Sequence, residues 1–98
     1  MWSDLYSDGD SPVPLGSFLR DYLVPGRRYY RRANFGRRVP GSRYAYSNIG
    51  ASLAAYLVET ASGIGFDRWC DERIFEPLGM ERTGWHLSDV PADDVAMP

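Results

Sequence analysis

The chain has 98 residues, of which 44% are hydrophobic and 24% charged, and a formal net charge of −2. This length allows one domain at most, the composition excludes a disordered polymer, and no apolar run approaches the roughly 18 residues of a membrane-spanning helix. The segment from Met1 to Asp10 is polar and acidic and has no signal-peptide pattern. Such a start fits a cytoplasmic chain or one that has lost its natural beginning, and it leaves the compartment open.

Residues 1–10, rich in Asp, Ser and Gly, read as loop. A first helix is predicted over 11–24, with Ser11 as N-cap and Pro12 at the first helical position. Leu15, Phe18, Leu19, Tyr22 and Leu23 follow the i, i+3, i+4, i+7, i+8 pattern of an amphipathic helix. Pro25-Gly26 stops it. Residues 27–45 read as irregular, with a turn at Pro40-Gly41 and a short extended piece at Arg43–Tyr46. This stretch holds seven of the eleven arginines, Arg27 to Arg43, and the chain has no lysine. A solvated Arg-rich loop, paired with the acidic residues at both ends, is the expected arrangement. Tyr29, Tyr30 and Phe35 interleave with the arginines, but no nucleic-acid-binding motif frames them.

A second helix is predicted over 49–62. Ile49, Leu53, Leu57 and Ala61 form one row, widened by Ala51, Ala54 and Val58. Ser47 or Asn48 is its N-cap and Gly63 its stop. Being apolar on most sides, this helix is expected to be buried. A third helix, 65–76, turns Phe66, Trp69, Cys70, Ile74 and Phe75 inward and carries i, i+4 charge pairing outside; Pro77 ends it, and 77–98 read as loop. Cys70 is the only cysteine, so an internal disulfide is excluded and a buried, inert thiol is expected. No motif for a metal or a cofactor is present. Two modest helices do not supply enough surface to bury the second one. The expected fold is therefore mostly α with long irregular connections, part of something larger.

An ordered set of short motifs runs from Pro40 to Trp85. Pro40-Gly41 precedes Tyr46-Ser47-Asn48. A Gly-containing apolar helix follows and closes on Ser62-Gly63. Ile74-Phe75-Glu76-Pro77-Leu78-Gly79-Met80 comes next, then Thr83 and Trp85. A bare Tyr-x-Asn is common by chance; the Pro-Leu-Gly-Met turn at this distance is far more specific. In this set the chain resembles the beta-lactamase-like, penicillin-recognising serine hydrolases: class C beta-lactamases, D-alanyl-D-alanine carboxypeptidases and related esterases. The resemblance implies a fragment of the helical subdomain of an α/β, beta-lactamase/transpeptidase-like fold. It also implies acyl transfer through a serine.

In that family the nucleophile lies in Ser-x-x-Lys at a helix start, and a third motif, Lys-Thr-Gly or His-x-Gly, lies on a strand edging the site. By resemblance, Tyr46 is the catalytic proton shuttle, a role that needs positive charge nearby to favour the phenolate. Asn48 is the substrate-binding amide, and Ser47 supports the backbone or caps the helix. The alternative is a packed aromatic beside an ordinary N-cap.

A chain without lysine has neither Ser-x-x-Lys nor Lys-Thr-Gly. His86 does not rescue the third motif, since the residue two positions on is Ser88, and it is expected to be a surface or hydrogen-bonded loop histidine. The chain is thus expected to hold one corner of a three-cornered site and to be inactive alone, its small-molecule or peptide substrate belonging to the full-length protein. A small non-catalytic helical binding protein and an Arg-rich interaction module are the competing readings. Flanking DNA separates the first from a hydrolase fragment, and salt-dependent nucleic-acid binding is the mark of the second.

Overall fold

The computed structural model describes residues 10–96. Apart from Asp10, the expected loop over 1–10 lies outside the described residues. Three helices organise the chain: α1 (Leu15–Leu23), α2 (Asn48–Ser62) and α3 (Phe66–Cys70), the last running on into a π-helical turn, Asp71–Phe75. Short 3₁₀ turns lie at Arg32–Asn34, Leu87–Asp89 and Ala92–Asp94. No strand occurs among the described residues.

The first helix starts at Leu15, three residues later than the Pro12 start that the Ser11 cap implied. Its prolines explain the delay. Each biases the residue before it toward extended backbone, so Ser11 and Val13 are both steered away from helix. Ser11 Oγ instead accepts from the Val13 N–H at 3.3 Å. The Pro14 carbonyl accepts the first helical bond, from the Phe18 N–H at 3.1 Å.

The core is small. Leu19, Tyr22 and Ile49 are its buried members, with Leu15, Phe18, Leu23, Tyr29 and Tyr56 packed around them. Gly16 lets α1 and α2 meet, because a Cβ there would stand 2.7 Å from the Tyr56 ring. The Tyr29 N–H donates to the Asp21 carbonyl at 2.9 Å, folding the chain after α1 back onto the Phe18 ring, whose centroid lies 6.1 Å away. The radius of gyration, 15.9 Å, exceeds the ~13 Å of a tightly packed domain this long.

This geometry corrects the expectation that α2 is buried. Ile49 is its one buried residue, and Leu53 and Leu57 are exposed, Leu57 by 60%. An all-round apolar helix buries only the sides that have a partner, and α1 and α3 cover part of it. Ile74 is likewise exposed rather than inward. No single helix among the described residues is long and apolar enough to cross a membrane.

The α2–α3 junction turns through 81°. Gly63 takes the left-handed conformation, φ 77°, and its N–H donates to the Glu59 carbonyl at 2.9 Å. The Glu59 side chain then accepts from the Phe66 N–H, Oε1 to N 3.0 Å. One residue so closes α2 and caps α3.

The helical backbone ends at Phe75, just short of Pro77 as expected. The Leu78 N–H still donates to the Ile74 carbonyl at 3.2 Å. The turn that follows closes at Gly79, φ 68°, through paired bonds from Met80 N–H to the Phe75 carbonyl (2.8 Å) and from Gly79 N–H to the Glu76 carbonyl (3.0 Å). These two bonds form a Schellman motif, for which glycine is the favoured left-handed residue. A proline inside a helix lacks an N–H and crowds the carbonyl four residues back. The π-helical turn before Pro77, with the Glu76 N–H bonded to the Asp71 carbonyl at 2.9 Å, shifts the register where that conflict would fall.

The segment after Met80, read as loop, is tied down at three points. Trp85 meets Phe66 edge-on, centroids 4.7 Å apart. Arg82 pairs with Asp94, its Nε 2.7 Å from a carboxylate oxygen. Asp10 accepts the N–H groups of Leu87 (2.9 Å) and Ser88 (3.0 Å).

Candidate active site

The Tyr-x-Asn motif sits at the start of α2. Ser47 is extended, φ −146° and ψ 112°, and its Oγ accepts from the Gly50 N–H at 2.9 Å. Ser47 is thus the N-cap and Asn48 the first helical residue. Capping by Ser47 sets the chain direction through the motif and turns Tyr46 and Asn48 toward each other. The Tyr46 hydroxyl donates to Asn48 Oδ1 at 2.7 Å.

Both side chains are solvent-accessible, Tyr46 by 68%. Asn48 also lines the open groove between α1 and α2, whose α2 wall includes Ser52, Tyr56 and Glu59. The phenol proton is engaged by the amide oxygen, while the phenol oxygen keeps its own acceptor lone pairs. A pair built this way can accept a hydrogen bond at the phenol oxygen from a group placed against it.

Ser47, its hydroxyl engaged as the cap acceptor, does not stand as a nucleophile beside a base. His86 is a hydrogen-bonded loop histidine, as expected. Its Nδ1 lies 3.7 Å from Asp10 Oδ1 and its Nε2 3.7 Å from Asp67 Oδ2, and its backbone N–H donates to Asp89 Oδ2 at 2.9 Å. Asp10 is held below the usual carboxylate range first by the Leu87 N–H, then by the Ser88 N–H, with the His86 ring adding to this. No group of three or more His, Cys, Asp or Glu side chains among the described residues is arranged to hold a metal ion.

Cys70 is buried, and its thiol is pushed up chiefly by burial, then by the Asp71 and Asp67 carboxylates. A thiol kept protonated is a poor nucleophile.

Sequence reasoning missed Asp10 and Glu59. Glu59 lies three residues before the Ser62-Gly63 stop, a weak local hint. Asp10 meets Leu87 across 77 positions, and no local pattern announces such a contact.

The beta-lactamase family model matches residues 9–97. The chain is similar to the unguisins hydrolase of Aspergillus campestris, 38% identical over 74 residues, which are 76% of this chain and 13% of that protein. It is also similar to the Escherichia coli K12 protein named "Putative D-alanyl-D-alanine carboxypeptidase", 39% identical over 44 residues, 45% of this chain and 10% of that one. A human protein named "Putative beta-lactamase-like 1" is 40% identical over 50 residues, 50% of this chain and 10% of its own length. The chain therefore spans about a tenth of the length of these relatives. No solved structure matches it. With the family model covering every described residue, and the Tyr-x-Asn corner and the Pro-Leu-Gly-Met turn both inside the match, the chain belongs to the beta-lactamase family.

Proposed function

We propose that this chain supplies the Tyr-x-Asn corner of a serine hydrolase that transfers or hydrolyses the acyl group of a lactam, peptide or ester. In this reading Tyr46 carries protons to and from the serine, and Asn48 binds the substrate's amide or carbonyl. The nucleophile in Ser-x-x-Lys and the third motif come from outside these residues, since the chain has no lysine. The observation that carries the reading is the 2.7 Å bond from the Tyr46 hydroxyl to Asn48 Oδ1 at an open helix start. Capping alone needs Ser47 and neither of those side chains. The names of the relatives, a hydrolase and a carboxypeptidase among them, support the reaction class.

The test compares the 98-residue chain with a longer product of the flanking coding sequence that carries the two missing motifs. The longer product is expected to turn over a chromogenic lactam or an aryl ester, and the short one is not. In the longer product Tyr46→Phe lowers kcat by about 10²–10⁴, and Asn48→Ala lowers kcat/KM. Serine-inhibitor-sensitive turnover by the short chain, or an unchanged kcat in Tyr46→Phe, would overturn the proposal.

A further inference from the structure

Charge is strongly segregated along this chain. Between Tyr22 and Val58 there are seven arginines and no acidic residue, and all thirteen carboxylates lie elsewhere. The seven guanidiniums were expected to pair with those carboxylates. Instead Arg27, Arg28, Arg31, Arg32, Arg37, Arg38 and Arg43 are all exposed, and the ion pairs of the described residues fall on Arg68, Arg82 and His86. Arg28 alone has a partner of another kind, the Tyr29 ring 5.1 Å away.

The segment is folded, not trailing. Asn34 Nδ2 donates to the Tyr29 carbonyl at 3.0 Å, and Tyr29 is itself anchored on α1. The N–H groups of Asn34 and Phe35 close the Arg32–Asn34 turn, and the Ser42 N–H closes a turn onto the Val39 carbonyl at 3.1 Å. Among the arginines two large side chains are exposed, Val39 by 74% and Tyr44 by 86%. Desolvating such groups against an apolar phase is favourable, and unpaired guanidiniums favour an anionic one.

We infer that residues 24–44 form a docking surface for an anionic phospholipid bilayer. The arginines meet headgroup phosphates while Val39 and Tyr44 reach the headgroup–acyl boundary, where amphipathic aromatic rings are favoured. A single-stranded nucleic acid fits less well. It needs open aromatic faces for its bases, yet Tyr30 and Phe35 pack on each other, centroids 5.8 Å apart. An aliphatic side chain such as Val39 offers a base nothing to stack on.

The test is co-sedimentation of the 98-residue chain with vesicles of phosphatidylcholine alone and of phosphatidylcholine mixed with phosphatidylglycerol, at low and high salt. Binding is expected to the mixed vesicles only and to fall with salt. Replacing Arg31, Arg32, Arg37 and Arg38 by Gln is expected to weaken it roughly a hundredfold or more. The double variant Val39→Ser, Tyr44→Ser keeps every charge and is expected to weaken it severalfold. Far-UV circular dichroism checks that both variants retain their helices. Three results would overturn the inference: equal binding to neutral vesicles, no binding to anionic ones, or binding to a single-stranded oligonucleotide with the mixed vesicles left unbound.

Discussion

Glu59 and Phe66 are joined across the α2–α3 bend: the Phe66 N–H donates to Glu59 Oε1 at 3.0 Å while the Glu59 carbonyl receives the Gly63 N–H at 2.9 Å. No residue of the short Gly65-led entry to α3 supplies a side-chain cap of its own. Glu59→Ala is therefore expected to cost about 1 kcal/mol, the usual loss on removing a cap acceptor, and Glu59→Gln to cost less. Denaturant unfolding of both variants checks this, and an Ala variant as stable as the parent would show that the bend is held by packing alone.

Ser47 and Tyr46 separate structure from chemistry at the motif. Ser47→Ala removes the α2 cap and is expected to destabilise by about 1 kcal/mol. Tyr46→Phe removes only an exposed hydrogen bond and is expected to change stability by less than ~0.5 kcal/mol. Thermal melts of the two variants decide; a larger loss in Tyr46→Phe would make the phenol a structural group.

Gly79 and Gly36 are both glycines in turns, with opposite expectations. Gly79 has φ 68°, where any side chain is strained, so Gly79→Ala is expected to cost roughly 1–2 kcal/mol. Gly36 is absent from the positive-φ glycines and has nothing within 4 Å of an added Cβ. Gly36→Ala is expected to be neutral or to stabilise by about 0.4–1 kcal/mol, through the unfolded chain. A shared sign in the two unfolding curves would contradict this account of the turns.

Asp10 makes the contact around Leu87 and Ser88 sensitive to acid. Its carboxyl is held below the ordinary 3.8, so the contribution is present above that value and is lost as pH falls through the lowered one. Amide hydrogen exchange at Leu87 and Ser88 is expected to show protection that fades on acidification and is missing at all pH values in Asp10→Ala. Persistent protection in that variant would remove Asp10 from the role.

Cys70 is expected to resist alkylation. Burial raises its thiol above the ordinary 9.0; its contribution to stability is present below the unfolded value and is lost as pH rises past it. Iodoacetamide labelling near neutral pH is expected to be roughly tenfold slower, or more, in the folded chain than in denaturant. Equal rates would mean that the thiol is open to solvent.

Local signals were legible where a few neighbouring residues decide the outcome. The Ser47 cap, the apolar row from Ile49 and the Gly63 stop are all set within α2 and its flanks, as is the order of motifs that carries the family resemblance. The start of α1 was misread because Ser11-Pro12 looks like a cap until Pro14 is weighed two residues later. The end of the third helix is legible too, since its backbone stops at Phe75 just before Pro77, while the Schellman pair at Gly79 and Met80 that closes the following turn has no such local mark.

The sequence by itself determined the helices that can form, the absence of any lysine, and the adjacency of Tyr46 and Asn48. Only the tertiary structure decided that the phenol bonds the amide, that Leu57 stays in solvent, that Asp10 reaches Leu87, and that the seven arginines after α1 have no carboxylate partner among the described residues. Periodicity and capping depend on residues within a turn or two, so they can be read along the chain. Burial and pairing depend on what stands opposite, which is settled only when distant segments meet.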